Sequence, residues 1–163
     1  MDRIDLVTSQ WRREMPSLEL LPMEVVARLG HAARLITRTH LEPFFQSHGL
    51  QQGEFDVLAT LRRAGAPYAL CPTDLFEALM ISSGGMTNRL DRLEKAGLIA
   101  RAPNPNDRRG TLVSLTDQGL ELMNRMIPLH VENEMRALAA LSREEQEALN
   151  GLLGKLIAGL ADG

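Results

Sequence analysis

The stretch Ser82–Arg109, SSGGMTNRLDRLEKAGLIARAPNPNDRR, changes its hydrophobic period twice in 28 residues, and few folds accommodate that. Met86, Leu90 and Leu93 recur at the spacing of one helix face. Gly97 supplies the left-handed stop that ends such a helix. Leu98–Ala102 and Thr111–Leu115 then read as strands, joined by Pro103–Gly110, a turn-rich tip of Pro, Asn and Asp. Upstream, Cys71 stands where an N-cap belongs, Pro72 at the first helical position and Asp74 in the first turn. A short helix over roughly 72–80 therefore precedes one capped by Ser82-Ser83. Helix, brief turn, helix and hairpin in that order spell a winged helix-turn-helix.

The flanks are helical. Ile4, Leu6, Val7 and Trp11 place a short amphipathic helix over 2–14, which Met15-Pro16 ends. Pro22 fits the first turn of a long helix reaching about His48, with Met23, Val26, Leu29, Ala33, Ile36 and Phe44 on one stripe and Gly49 as its stop. Gln51–Ala64 is a helix with Phe55, Leu58 and Leu61 inward, closed by Gly65 and Pro67. Thr116-Asp117 caps a long helix whose inward positions read Leu120, Met123, Ile127, Val131, Met135 and Leu138, and Pro128 inside it predicts a bend. Ser142 to Glu145 is a capping box opening the last helix, with a broad apolar face from Leu149 to Leu160.

The expected fold is mainly α with a small β-hairpin wing. It divides into N-terminal helices over 1–48, a winged helix-turn-helix over 49–115, and C-terminal helices over 116–163. The terminal helices carry more apolar surface than a small DNA module needs, which predicts a homodimer with recognition helices about one DNA turn (~34 Å) apart.

Composition excludes several alternatives. Aromatic residues at 4% disfavour an all-β core. No apolar run approaches the ~18 residues of a membrane span, and charges near the N-terminus fall where a signal peptide would be apolar. With a single cysteine, a reducing cytoplasm is the expected location. The four histidines lack metal-ligand spacing, and neither a phosphate loop nor a nucleophile elbow occurs, so no metal, cofactor or enzymatic activity is expected. Net charge is −3, yet Ser82–Arg109 carries six basic residues against three acidic ones, leaving −6 for the remainder. A basic patch on an acidic body suits double-stranded DNA. Ser83, Thr87, Asn88 and Arg92 face away from the Met86/Leu90/Leu93 stripe and can reach phosphates and base edges. Arg108 and Arg109 sit at the wing with no core to serve, and Asp107 reads as a partner orienting an arginine. Close approach of backbone N–H groups to a phosphate accounts for Gly84-Gly85 early in the helix.

Several segments together resemble the MarR family: EFDVLATL (54–61), TNRLDRLE (87–94), Gly97-Leu98, Asp107-Arg108-Arg109 and LTDQG (115–119). The resemblance covers about residues 20–160. Trp11, Pro22-Met23, FDVLATLRRAGAPYA (55–69), Leu79-Met80-Ile81 and HVENE (130–134) look like its PecS-like, urate-responsive branch. The resemblance implies a transcriptional regulator, usually a repressor, whose wing enters the minor groove and which a small phenolic or anionic effector releases from pseudo-palindromic operators. For this branch it implies urate or a related planar anion, with Trp11, Asp56, Arg89 and Arg101 at the matching positions. Trp11 would offer its indole N–H and ring face, an arginine a bidentate fork, Asp56 would sense the ligand's charge, and Arg89 would carry displacement to DNA. Two other readings remain open. One is a MarR-type regulator responding to a phenolic compound or to oxidation at Cys71. The other is a winged-helix interaction module that no longer reads DNA.

Overall fold

The computed structural model describes residues 3–79, 85–105 and 107–161, and of 107–109 the backbone only. The chain forms two compact units, 1–43 and 44–163.

In the first unit, α1 (Arg3–Glu14) packs on α2 (Leu21–Ile36), whose first turn accommodates Pro22. Asp5 pairs with Arg28, which also reaches Glu24 at 3.5 Å, and Arg12 lies 3.7 Å from Glu24. Such exposed pairs fix register more than they stabilise. The long helix expected from Pro22 to His48 is interrupted by a π-helical turn, Thr37–Leu41, before it resumes as α3 (Glu42–Ser47). Hydrophobic periodicity does not reveal a π turn, because it adds one residue without breaking the chain of hydrogen bonds.

The second unit holds the core. Gly49, with φ of +73°, ends α3, and α4 (Gln52–Arg63) follows. Its Phe55, Leu58 and Leu61 are buried as expected, together with Val57. A two-residue strand, β1 (Ala69–Leu70), then leads into α5 (Pro72–Leu79). The Cys71 carbonyl accepts the Leu75 N–H at 3.0 Å, the first bond of that helix. The expected Ser82-Ser83 cap lies outside the described residues. The next helix, α6, is Met86–Lys95, with Met86, Leu90 and Leu93 buried beneath it and Gly97 (φ +73°) closing it.

The wing corrects the expected hairpin. β2 runs Ile99–Asn104 and β3 runs Asp107–Leu115, so both strands extend through most of the segment read as a tip. Asn104 pairs with Asp107, and Arg108 and Arg109 lie within β3. The sheet order β1-β3-β2 makes β2 an edge strand, where Pro103 removes no needed hydrogen bond, and an irregularity at Pro103/Asn104 absorbs the mismatch. Proline and asparagine therefore marked an edge rather than a loop. β1 was not anticipated; it pairs Leu70 with Val113, and two residues are too few to show a period.

Thr116 caps α7 (Asp117–Ala137), its hydroxyl accepting the Gly119 N–H at 3.0 Å, and the helix continues through Pro128. Met123 is buried as expected, but so is Met126, whereas Val131 and Met135 stay 49% and 65% exposed. In α8 (Arg143–Ala161) the capping box forms: Ser142 N–H reaches Glu145 at 2.7 Å and Glu145 N–H reaches the Ser142 hydroxyl at 3.2 Å. No residue of α8 is buried, and Leu152, Ile157 and Leu160 are each more than 60% exposed. None of the described helices is long and apolar enough to cross a membrane.

Candidate functional site

α6 presents two surfaces. Outward, Thr87 and Asn88 are exposed, and the Arg92 side chain is 53% exposed. Ser83 lies outside the described residues, and the side chains of Arg108 and Arg109 are not described. Their strand continues directly from the wing base, where Arg101 pairs with Val113. Arg92 is not free: its Nε sits 2.7 Å from Oε1 of Glu54, a carboxylate buried to 4% exposure. The other Glu54 oxygen accepts the Gln51 N–H at 2.8 Å, forming the box that starts α4.

Inward, Arg89 crosses onto α4. A Cβ built at Gly53 would fall 2.5 to 2.9 Å from three atoms of the Arg89 guanidinium, so the absent side chain is what lets the guanidinium lie flat there. One helical turn on from Gly53 is Asp56, half-buried. Burial pushes the Asp56 carboxyl above its usual value, and the positive fields of Arg89 and His130 partly offset that rise. His130 comes from α7 and stacks among Phe44, Phe45 and Phe55, with ring centroids 4.8 to 5.5 Å away. Its Nε2 lies 3.3 Å from Glu134, and its buried Nδ1 has no hydrogen-bond partner among the described residues.

The raised Asp56 value has a consequence for stability. The folded state holds this proton more tightly than the unfolded chain, so the group costs stability once pH rises above its unfolded value. Asp56→Asn is therefore expected to raise the melting temperature at pH 7, with the gain vanishing below about pH 4. Melting curves of both proteins across that range check the sign; a variant less stable at pH 7 and unchanged in acid would contradict it.

Arg101 is occupied differently. Its Nη2 lies 2.6 Å from Asp91 and 2.5 Å from Glu94, its Nε 3.1 Å from Glu94, and its backbone N–H also donates to Glu94 at 3.2 Å. These hydrogen bonds hold the Glu94 carboxyl below its usual range and raise the Arg101 guanidinium. The pairing clasps the end of α6 to the wing. Of the four candidate effector residues, Asp56 and Arg89 thus share one electrostatic cluster, and Arg101 is engaged by α6 carboxylates. Trp11 stands in the first unit, 41% exposed.

Glu54, Gly53 and His130 were absent from the sequence candidates. The Gln51–Glu54 spacing was a readable capping box, and His130–Glu134 a readable helical pair. Among the described residues no group of three or more His, Cys, Asp or Glu could hold a metal ion.

Comparison with known proteins places this architecture. The family description that matches is MarR, over residues 50–111. The chain is 46% identical over 150 residues to the HTH-type transcriptional regulator PecS of Dickeya dadantii, covering 92% of this chain and 90% of that protein. It superposes on a mutant MarR from E. coli complexed with operator DNA with a TM-score of 0.72 at 29% identity, covering 86% of this chain and 99% of that one. Sco3205 of Streptomyces coelicolor, also solved with DNA, gives 0.76 at 27% identity, covering 88% and 89%.

Proposed function

The chain belongs to the MarR family of DNA-binding transcriptional regulators, which are not enzymes, and on that footing we propose that it is a homodimeric repressor released by urate or a related planar anion. In this reading Ser83, Thr87, Asn88 and Arg92 of each copy read one half of a pseudo-palindromic operator, while Arg108 and Arg109 contact the flanking minor groove. The exposed leucines of α8 and the exposed stripe of α2 pack against the second copy.

The observation that carries the effector half is Arg89. It sits on the recognition helix between Asn88 and Arg92 in sequence, yet its guanidinium rests on α4 beside Asp56. An anion that draws Arg89 away, or adds charge beside a carboxylate already short of solvation, has direct mechanical purchase on α6. Trp11 supplies a ring face for a planar ligand, and Arg101, once released from Asp91 and Glu94, a second fork.

The test is fluorescence anisotropy on promoter fragments adjoining the coding region. Binding is expected to weaken along a steep log–log salt line, Asn88→Ala to lose about tenfold in affinity, and millimolar urate to reverse the binding. DNA binding that is absent at low ionic strength would favour an interaction module. Binding that urate leaves untouched would remove urate alone.

A further inference from the structure

We propose that Glu54 is a positioning residue for base reading, orienting Arg92 so that its two terminal nitrogens, Nη1 and Nη2, meet N7 and O6 of a single guanine in each half-site. The proposal rests on the preceding assignment of Arg92 to the DNA-reading face and adds what fixes its geometry and which base it selects.

A guanidinium can present two hydrogen-bonding edges, one made by Nε with a terminal nitrogen and one made by the two terminal nitrogens. In this protein a Glu54 oxygen lies 2.7 Å from Nε, an ion pair that sets the carboxylate against the Nε side of the guanidinium and away from the second edge. No other partner engages Arg92 among the described residues, so the second edge remains for a ligand. The anchor is rigid and the arm is not. Glu54 is buried to 4% exposure and tied through its other oxygen to the start of α4, while the Arg92 side chain is 53% exposed.

Packing does not substitute for this tether. Glu54 and Arg92 line an open cavity of about 340 Å³ together with His48, Leu50, Leu98 and Gln118. A free arginine would sample many rotamers and lose that freedom on binding. With the Nε side held by the Glu54 charge, the second edge is pre-aimed, and a bidentate contact to guanine is the contact that edge fits. Lysine has no equivalent of Nε and could not be held this way.

The test uses the full-length protein and the tightest duplex it selects from a random library, with each guanine replaced in turn by 7-deazaguanine, which lacks the N7 acceptor. For the parent, one replacement per half-site is expected to weaken binding about tenfold. In Arg92→Ala that sensitivity disappears. In Glu54→Gln, which keeps an oxygen for the Gln51 N–H, it is expected to fall to about twofold or less, while affinity for random DNA and the salt slope stay at parental values. Glu54→Asp keeps the charge but retracts the anchor, and should show the same loss if Glu54→Gln folds poorly. A merely structural role would lower melting temperature and all DNA affinities together.

Undiminished 7-deazaguanine sensitivity in folded Glu54→Gln or Glu54→Asp overturns the positioning role. A uniform loss in Arg92→Ala, with no parental dependence on any N7, assigns Arg92 to a phosphate and overturns the guanine contact. Parental behaviour of Arg92→Ala instead refutes the placement of Arg92 on the reading face itself.

Discussion

Replacing Gly119 with alanine should destabilise the fold by about 3 kcal/mol or more, enough to leave much of the protein unfolded at temperatures the parent survives. A Cβ at this position would stand 2.0 Å from the Leu98 carbonyl oxygen and 3.0 Å from its carbon. Both are backbone atoms, so no rotamer change clears them. The surroundings allow little drift. Thr116 accepts the Gly119 N–H with its hydroxyl, donates that hydroxyl to the Gly97 carbonyl at 2.7 Å, and donates its backbone N–H to Leu98 at 3.1 Å. The start of α7 is thereby bolted onto the turn between α6 and β2, and an added methyl must prise the two apart. Urea unfolding of Gly119→Ala measures the loss. A change within ~0.5 kcal/mol, as for an ordinary surface substitution, would mean that the junction yields more freely than its hydrogen bonds suggest.

Gly53→Ala should leave the protein folded but largely deaf to its effector. Alanine favours a helix over glycine by up to ~1 kcal/mol, so α4 itself gains. The new methyl would nevertheless lie 2.5 Å from the Arg89 Cζ and 2.6 Å from its Nε. Arginine is flexible, and the guanidinium moves off rather than breaking the helix. Asp56 then loses the first of the two positive fields that counter its burial, and its carboxyl rises further. If Arg89 links ligand to recognition helix, the urate concentration for half-release of DNA should increase about tenfold or more, with DNA affinity in the absence of urate changed much less. Titrating urate into preformed complexes of parent and variant reads this directly. A parental midpoint in Gly53→Ala would take the Arg89–Asp56 contact out of the switch.

Much of this fold could be read before the structure because its boundaries are marked by residues that act locally. Thr116 and Ser142 cap the helices they were expected to cap, and Gly49 and Gly97 adopt the positive φ their positions implied. Met86, Leu90 and Leu93 are buried as their spacing required. The errors arose where meaning depends on a neighbour distant in sequence. Pro103 reads as a loop residue until β3 is known to lie on one side of it only. Ala69-Leu70 is a strand solely because Val113 and Ser114 pass beside it. Val131 and Met135 fit the stripe of α7 but meet no core within this chain.

The site divides along the same line. Residue types and the family resemblance pick out Asp56, Arg89 and Arg101, but periodicity cannot say which charge faces which. Arg101 meets Asp91 and Glu94 because a hairpin folds back along α6, and Arg92 meets Glu54 because two helices cross. Gly53 carried no visible chemistry at all. Its importance lies in the space it leaves for another residue's side chain.

The central position of β3 also bears on how such a chain can vary. At Val113 the strand is gripped from both sides, by Leu70 and by Arg101, so a one-residue insertion there would turn the buried Val113 outward and break two ladders at once. Beyond Thr111 only β2 holds it, and β2 already tolerates a misfit at Pro103/Asn104. Insertions or deletions toward the hairpin end would lengthen or shorten the reach of the wing without altering its root. One end of a single strand is thus open to drift under selection for new operators, while the other end is frozen by the fold.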